Sequence, residues 1–278
     1  MRYQRVADER ELLEGLSQPG ATILCGGTDV VVKMRAGMIQ PDVLLDVSRI
    51  DTLRGIRVEG SALLIGAATA ESDIITSPLV RDHVPLLASV LKQLGSVQIR
   101  NRGTLGGNIV NASPAADGSI PLLVYDTEIL LVSPEGERWM KLEDFFTGPG
   151  RTTLKPSEFI RTLRLPIPGE GFRSFFHKVG KRNALTIAIA SLGVLLRMEG
   201  DVIQELRIAV GSVAPTSRRL RDIEGALTGQ HLDDATIAKA RQLIVEAISP
   251  ISDVRATADY RKNVIGDLLV RALRSHLI

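Results

Sequence analysis

A glycine-rich stretch at residues 100–117 constrains what this chain can fold into more than any other part of the sequence. It reads Arg-Asn-Arg-Gly-Thr-Leu-Gly-Gly-Asn-Ile-Val-Asn-Ala-Ser-Pro-Ala-Ala-Asp. Its glycines allow positive φ angles and a close approach of the backbone to a ligand, and consecutive free N–H groups in such a turn attract phosphate. Asn108 and Ser113 offer side-chain hydrogen bonds, and Asp117 can accept one from a ribityl or ribose hydroxyl. The stretch therefore has the makings of an anion-binding turn.

A second glycine turn lies far upstream, at residues 23–30, and reads Ile-Leu-Cys-Gly-Gly-Thr-Asp-Val. It follows a β-prone run and precedes an apolar run, an arrangement that presents bare N–H groups to an anion. Two such turns that converge would grip a diphosphate from both sides. Taken singly, either one is more often an ordinary tight turn, because 25 glycines in 278 residues give about two Gly-Gly pairs by chance.

Together the two stretches resemble the FAD-binding subunit of the molybdenum hydroxylases. That family includes the medium subunit of carbon monoxide dehydrogenase and the flavin domain of xanthine dehydrogenase. The resemblance continues to the end of the chain, through residues 64–67, 145–150, 163–166, 213–216, 252–255 and 260–261. The downstream motif is long and specific, whereas the upstream motif alone would be weak.

The resemblance implies that FAD binds here, with its diphosphate between the two Gly-Gly pairs and Asp117 at the ribityl or ribose region. It implies no catalytic residue and no metal ligand on this chain. The implied cofactor-binding residues are Ile23, Leu24, Cys25, Gly26, Gly27, Thr28, Asp29, Val30, Thr104, Gly106, Gly107, Asn108, Ser113, Asp117, Ile160 and Lys178.

Three of these residues would be read differently without the resemblance. From composition alone, Lys178 is a solvated lysine at a strand end and Ile160 is a core residue of a strand. Cys25 stands where the family has an alanine, and a thiol at a helix N-terminus is expected to have a lowered pKa. Whether Cys25 modulates the flavin stays open.

The implied function is electron transfer within a larger enzyme. The family oxidises its substrate at a molybdenum cofactor on a large subunit, and [2Fe-2S] clusters on a small subunit carry electrons to the FAD of the medium subunit. The expected partners are therefore these two subunits, in a dimer of heterotrimers in the cytoplasm. The electron acceptor and the substrate are left open. Two alternatives are a self-contained flavin oxidase with a related fold and an interaction protein that has lost its flavin.

Composition excludes several other classes of protein. The net charge of +2 is too small to favour nucleic acid as a partner, and no apolar run approaches the roughly 20 residues that span a bilayer. The single cysteine, Cys25, cannot form an internal disulfide or hold an iron–sulfur cluster on this chain. The histidines are isolated, which favours structural roles over metal binding; they are His83, His177, His231 and His276.

The pattern along the chain predicts an α+β fold with two domains. The resemblance implies a two-subdomain FAD-binding domain at residues 1–168 and a C-terminal domain at 172–278 with a three-stranded antiparallel sheet and helices. The proline- and glycine-rich segment 166–171 is the clearest boundary. A hairpin is expected from Leu185 to Val210, with helices after Leu220.

Local signals predict two helix caps. Asp8 with Glu11 forms a capping box for the first helix, and Thr69 caps a short helix that stops before Pro78. Asp253, Arg255, Tyr260 and Arg261 match motif positions of the family, and the resemblance favours structural roles for them, as a helix cap and an ion pair of the C-terminal domain.

Overall fold

The computed structural model describes residues 1–182 and 186–275. Its N-terminal subdomain is a three-stranded parallel sheet in the order β1-β3-β2. The elements are β1 (Arg2–Arg5), α1 (Glu9–Leu16), β2 (Ala21–Leu24), α2 (Val30–Arg35) and β3 (Val43–Asp46). The predicted capping box is confirmed, since Asp8 Oδ1 accepts from the Glu11 N–H at 2.9 Å and Glu11 Oε2 accepts from the Ala7 N–H at 2.8 Å. The parallel pairing places the end of β2, and therefore the first glycine turn, at one edge of the subdomain.

The second subdomain is a five-stranded antiparallel sheet with helices packed against it. Its elements are β4 (Ile56–Glu59), β5 (Ala62–Gly66), α3 (Glu71–Thr76), α4 (Pro78–His83), α5 (Pro85–Leu91), α6 (Val97–Arg100), α7 (Leu105–Asn111), α8 (Ser119–Val124), β6 (Glu128–Ser133), β7 (Gly136–Lys141), β8 (Phe146–Gly148), β9 (Arg151–Thr152) and β10 (Phe159–Pro166). The sheet order is β4-β5-β10-β6-β7, and β8 pairs with β9 in a separate ribbon. A hydrophobic core joins β5, β6 and β10 to the helices.

Both the local sequence and a hydrogen bond to a buried side chain determine where α5 starts. Pro85 occupies the first turn of the helix, where its missing N–H costs nothing. The next residue, Leu86, donates its N–H to the buried hydroxyl of Tyr125 at 3.2 Å. Burial raises the pKa of Tyr125 to about 12, so this hydroxyl stays neutral. The helix therefore delivers the chain in a fixed direction towards the second glycine turn.

The predicted cap at Thr69 is wrong. The helix α3 begins one residue later, with Ala70 as its N-cap. The Thr69 hydroxyl instead accepts from the Gly55 N–H at 3.0 Å and faces the Gly55 carbonyl oxygen at 3.3 Å. The sequence signal for a cap is local, and here a loop between distant segments competes for the same hydroxyl.

The C-terminal domain has an antiparallel sheet covered by three helices. Its elements are β11 (Phe172–Val179), β12 (Ala190–Glu199), β13 (Val202–Gly211), β14 (Arg218–Arg219), α9 (Arg221–Leu227), α10 (Asp234–Ala247) and α11 (Ala258–Arg274). The sheet has four strands in the order β11-β12-β13-β14, one more than the three predicted, because β14 is two residues long and too short to show a strand pattern. The predicted hairpin is β12 and β13; its expected start at Leu185 lies outside the described residues.

The ion pair predicted within the set of Asp253, Arg255, Tyr260 and Arg261 is confirmed, but the predicted cap is wrong, since none of the four caps α11. Asp253 Oδ1 lies 2.6 Å from Arg261 Nη2, and the hydrogen bonds that it accepts from Arg255 and Ala256 lower its pKa to about 2. The N-cap of α11 is Thr257, whose side chain accepts from the Tyr260 N–H. Asp253 therefore holds the turn before the helix rather than the helix end.

The two domains pack through α8. The Cβ of any larger residue at Gly193 of β12 would lie 2.5 Å from Ile120 Cγ2, and at Gly211 of β13 it would lie 3.0 Å from Ile120 Cδ1. The helix α8 therefore packs against the sheet where these two glycines leave room for Ile120. Next to it, Arg219 donates to the Leu123 carbonyl oxygen at 3.1 Å and lies 2.6 Å from Asp126 Oδ1.

Arg219 also holds the buried carboxylate of Glu224 through two hydrogen bonds of 2.6 and 2.9 Å. We predict that Arg219→Leu lowers the free energy of unfolding by about 3 to 5 kcal/mol, because Glu224 would be left buried without its cation. Urea denaturation followed by far-UV circular dichroism measures the change. Arg218→Leu is the matched control, since Arg218 is exposed in the same strand; an equal effect of both substitutions would contradict the prediction.

Candidate functional site

The two glycine turns touch each other through their backbones. A Cβ on Gly26 would overlap the carbonyl oxygen of Arg102 and would lie 3.1 Å from the Cα of Gly103. The Thr104 hydroxyl lies 3.3 Å from the Cys25 Sγ across the same contact. No side chain fits between the turns at Gly26, so residues about 80 positions apart converge only because this residue is glycine.

Two further contacts fix the second turn. The Gly106 N–H donates to the Ala67 carbonyl oxygen at 2.9 Å, and a Cβ on Gly106 would lie 2.7 Å from that oxygen. Lys33 of α2 reaches across to Asn111 of α7, where its Nζ lies 2.6 Å from Oδ1. The helices that follow the two turns are therefore tied together beyond the glycine contact.

A cavity of about 240 Å³ lies between the turns. It is lined by part of β2, by the start of β10 and by one side of α7. The residues named from the sequence that line it are Ile23, Cys25, Gly26, Gly27, Thr28, Asp29, Val30, Thr104, Gly106, Gly107, Asn108 and Ile160. Ile160 lies at the irregularity in the pairing of β10 with β6, where the strand departs from a regular ladder.

Several polar groups at the cavity have no partner. Within the residues that the structure describes, none accepts a hydrogen bond from the backbone N–H of Gly27 or Thr28. Gly27 has φ +78°, a conformation that favours glycine. The buried Oδ1 of Asn108 is unpaired in the described chain as well. Buried polar groups are normally hydrogen-bonded, so this cavity suits a ligand that brings both acceptors and donors.

Four predicted residues do not line this cavity. Leu24 packs beneath Gly27, and the Ser113 hydroxyl accepts from the Ala115 N–H at 3.3 Å. Asp117 and Lys178 form a buried ion pair of 2.6 Å, with side chains 7% and 6% exposed. The pair lies close to the cavity, because Asn108 Oδ1 would be 2.8 Å from a Cβ on Gly118.

The ion pair of Asp117 and Lys178 joins the two domains. Lys178 is on β11, and its Nζ also donates to the Gln93 carbonyl oxygen at 2.8 Å. Burial raises the pKa of Asp117, and the Lys178 ammonium opposes that rise. The second carboxylate oxygen of Asp117 has no partner in the described chain. Lys178 also lines a second cavity of about 820 Å³, between the segment after α5 and the end of β11.

Cys25 is not an activated thiol. Its predicted lowered pKa is wrong: burial raises the pKa, and the hydrogen bond with Thr104 opposes this only in part. The helix α2 begins at Val30, five residues further on, so Cys25 is not at its N-terminus. The Thr104 hydroxyl, for its part, caps α7 by accepting from the Gly107 N–H at 3.2 Å.

Sequence reasoning missed Glu71. This first residue of α3 lines the cavity and is 2% exposed. Burial raises its pKa to about 7; the charge of Arg100 opposes the shift and that of Asp29 adds to it. The only signal in the sequence is an acidic residue at the start of a short helix, which is ordinary helix chemistry.

The fold and the cavity together define the class of protein, which is a two-domain flavoprotein. The family model described as the FAD binding domain in molybdopterin dehydrogenase matches residues 1–168. The model described as the CO dehydrogenase flavoprotein C-terminal domain matches residues 175–276. The chain belongs to this family and is homologous to the FAD-binding medium subunits of molybdenum hydroxylases.

Individual relatives agree over nearly the whole chain. The carbon monoxide dehydrogenase medium chain of Hydrogenophaga pseudoflava is 34% identical over 92% of this chain and 88% of its own length. The xanthine dehydrogenase FAD-binding subunit of Escherichia coli O157:H7 is 30% identical over 95% of this chain and 91% of its own. A solved Hydrogenophaga pseudoflava carbon monoxide dehydrogenase, lacking the Mo-pyranopterin moiety of its molybdenum cofactor, matches with a TM-score of 0.95 and 33% identity over 99% of this chain and 96% of that one.

The described residues hold neither a membrane-spanning helix nor a metal site. In residues 1–182 and 186–275 no helix is long and apolar enough to cross a membrane. The same part of the chain holds no group of three His, Cys, Asp or Glu side chains placed to bind a metal ion.

The raised pKa of Glu71 makes the stability of the flavin-free protein depend on pH. Its folded pKa of about 7 lies above the unfolded value of 4.5, so the folded state binds more protons between these values. The contribution is fully present below pH 4.5 and is lost as pH rises through 7, a total of about 3 kcal/mol. We predict that stability measured by urea denaturation falls from pH 5 to pH 8 by about this amount more in the unaltered protein than in Glu71→Gln. A difference between the two proteins that does not change with pH would contradict this.

Proposed function

We propose that this chain is the FAD-binding electron-transfer subunit of a multi-subunit molybdenum hydroxylase. The observation that carries the proposal is the backbone contact of the two glycine turns, which encloses a cavity with unpaired N–H groups. FAD, when bound, accepts electrons one at a time and passes a pair to an external acceptor; that chemistry belongs to the cofactor. The chain supplies binding, orientation and electrostatics.

The residues fit this cofactor. In the proposed arrangement the diphosphate is held at Gly26-Gly27 and Gly106-Gly107, and Thr28, Thr104 and Asn108 form hydrogen bonds with it. The proposed cofactor-binding residues are Ile23, Leu24, Cys25, Gly26, Gly27, Thr28, Asp29, Val30, Thr104, Gly106, Gly107, Asn108, Ser113, Asp117, Ile160 and Lys178. Leu24 acts by supporting Gly27 and Ser113 by stiffening the exit from α7, since neither lines the cavity.

Asp117 and Lys178 have a positioning role in this proposal. Asp117 keeps one carboxylate oxygen for a ligand hydroxyl, because Lys178 occupies only the other. Lys178 brings the C-terminal domain to the cofactor and, by direct contact, opposes the rise in the pKa of Asp117 that burial causes. No side chain is assigned as nucleophile or general base.

The proposed domains are an FAD-binding domain at residues 1–168 and a C-terminal α+β domain at residues 172–278. The C-terminal domain has a hydrophobic core of its own, and the core of the first domain takes in Leu195 and Ala209 at the interface. The proposed partners are a molybdopterin-binding large subunit and a small subunit with [2Fe-2S] clusters, in a cytoplasmic dimer of heterotrimers. The relatives named as medium chains support this, as does the single cysteine, which is too few to ligate a cluster.

We predict that the purified, flavin-free chain binds FAD and that Gly107→Val weakens this binding by about 100-fold, or about 2.7 kcal/mol. A Cβ on Gly107 would meet only Thr104 Oγ1, at 2.9 Å, so the rest of a valine side chain would point into the cavity. The dissociation constant is measured by the change in flavin fluorescence, and far-UV circular dichroism checks the fold.

Gly225→Val is the matched control, because Gly225 lies in α9 with open space around the position of its Cβ. FMN is the ligand control and should bind more weakly than FAD, since it lacks the diphosphate and the adenosine. Equal binding of FMN and FAD, or stoichiometric FAD in Gly107→Val, would refute the assignment of this cavity.

Partner subunits are tested separately. We expect a tagged full-length chain, purified from its own source at low salt, to bring down two further proteins with molybdenum and iron. Metal analysis and mass spectrometry identify them. A chain that carries FAD and oxidises an alcohol or lactone without any partner would instead favour the self-contained flavin oxidase.

A further inference from the structure

The side chain of Glu71 lies where the two glycine turns meet. Its backbone N–H donates to the Gly103 carbonyl oxygen at 2.9 Å. Its Oε2 would lie 3.2 Å from a Cβ on Gly103, and the residue lines the cavity together with Asp29 of the first turn. The carboxyl group is therefore placed against both turns, at the part of the cavity where the diphosphate is proposed to bind.

Glu71 differs from the other buried glutamates of the described chain. Glu158 is held by Arg138 at 3.0 Å and Glu224 by Arg219 at 2.6 Å. Glu71 has no such cation, and its buried Oε2 has no hydrogen-bond partner among the described residues. A buried carboxylate without a partner is costly, whereas a protonated carboxyl can donate one hydrogen bond.

Burial, rather than the surrounding charges, favours the protonated form of Glu71 when no ligand is bound. Arg100 of α6 stabilises the carboxylate and Asp29 destabilises it. Of the other helices packed on α3, α5 carries no charged residue, and α4 carries Arg81 and Asp82, which pair with each other at the surface, and His83. The balance leaves Glu71 close to half-protonated at neutral pH, so an anion placed beside it would draw in a proton.

We propose that Glu71 is a cofactor-binding residue that acts in its protonated form, donating its carboxyl O–H to an anionic oxygen of the cofactor's diphosphate, so that binding takes up a proton. This inference rests on the proposed function. It gives the chain a binding residue in a third segment besides the two glycine turns. It also makes cofactor retention fall as the pH rises, because the ionised carboxylate repels the diphosphate.

The test is a set of FAD dissociation constants for the full-length, flavin-free chain between pH 6 and pH 8.5, measured by flavin fluorescence. For the unaltered protein the constant should rise about tenfold per pH unit above 7. Glu71→Gln keeps a donor of the same shape without a titrating proton, so its affinity should stay within about threefold of the pH 6 value throughout. Asp73→Asn is the matched control, since it removes a carboxylate from the same helix turn; its pH dependence should follow the unaltered protein.

Proton uptake gives a second readout. Calorimetric titration with FAD at pH 8, in two buffers of different ionisation enthalpy, should show uptake of about one proton by the unaltered chain and none by Glu71→Gln. FAD binding that is tight but independent of pH would overturn this inference and leave the proposed function standing. Affinity that rises with pH and is lost in Glu71→Gln would also overturn it, because the residue would then act as an ionised acceptor. Absence of FAD binding at every pH would overturn both.

Discussion

The rest of this structure depends on a contact that involves no side chain, the packing of Gly26 against the backbone of Arg102 and Gly103. It brings together a parallel subdomain and an antiparallel one, which also share a hydrophobic cluster that includes Leu45 of β3, Leu130 of β6 and Phe159 of β10. A Cβ at Gly26 would collide with backbone rather than with the end of a flexible side chain, so the turns could not approach without moving whole strands. Interiors are close-packed, which makes such a shift costly. The cavity exists because two segments far apart in sequence can be this close.

The C-terminal domain does not line this cavity, but it places Lys178 next to it. Its helices cover a sheet whose glycines receive α8, and the Arg219 cluster fixes the rotation of one domain on the other. This packing brings Lys178 to Asp117. A buried ion pair is weak evidence for stability, because desolvation offsets its Coulomb energy. Its value here lies in orientation, since it fixes which oxygen of Asp117 remains available.

The fold class and most helices and strands could be predicted from the sequence, because they depend on patterns within short segments of the chain. The first capping box, the hairpin of β12 and β13 and the C-terminal helices all follow from short-range patterns. Most of the misses share one cause, which is competition from distant segments. Thr69 bonds to Gly55 instead of capping α3, and burial among residues of the other turn sets the pKa of Cys25. The pair Arg218–Arg219 becomes a strand only because Ala209 and Val210 lie beside it. Glu71 could not be found from sequence, because nothing local shows that it will be buried without a cation.

Unpaired polar atoms show where this fold leaves interactions incomplete. Glu71 Oε2, Asn108 Oδ1 and Asp117 Oδ1 are all buried and unpaired in the described chain, and they lie on or next to the same cavity. Leaving such groups unsatisfied costs about 1 to 3 kcal/mol each, and this cost is the kind that a ligand with matching donors and acceptors removes. A ligand that binds only the folded state stabilises it by mass action. In the proposed function, these three atoms are the ones whose hydrogen bonds the cofactor would complete.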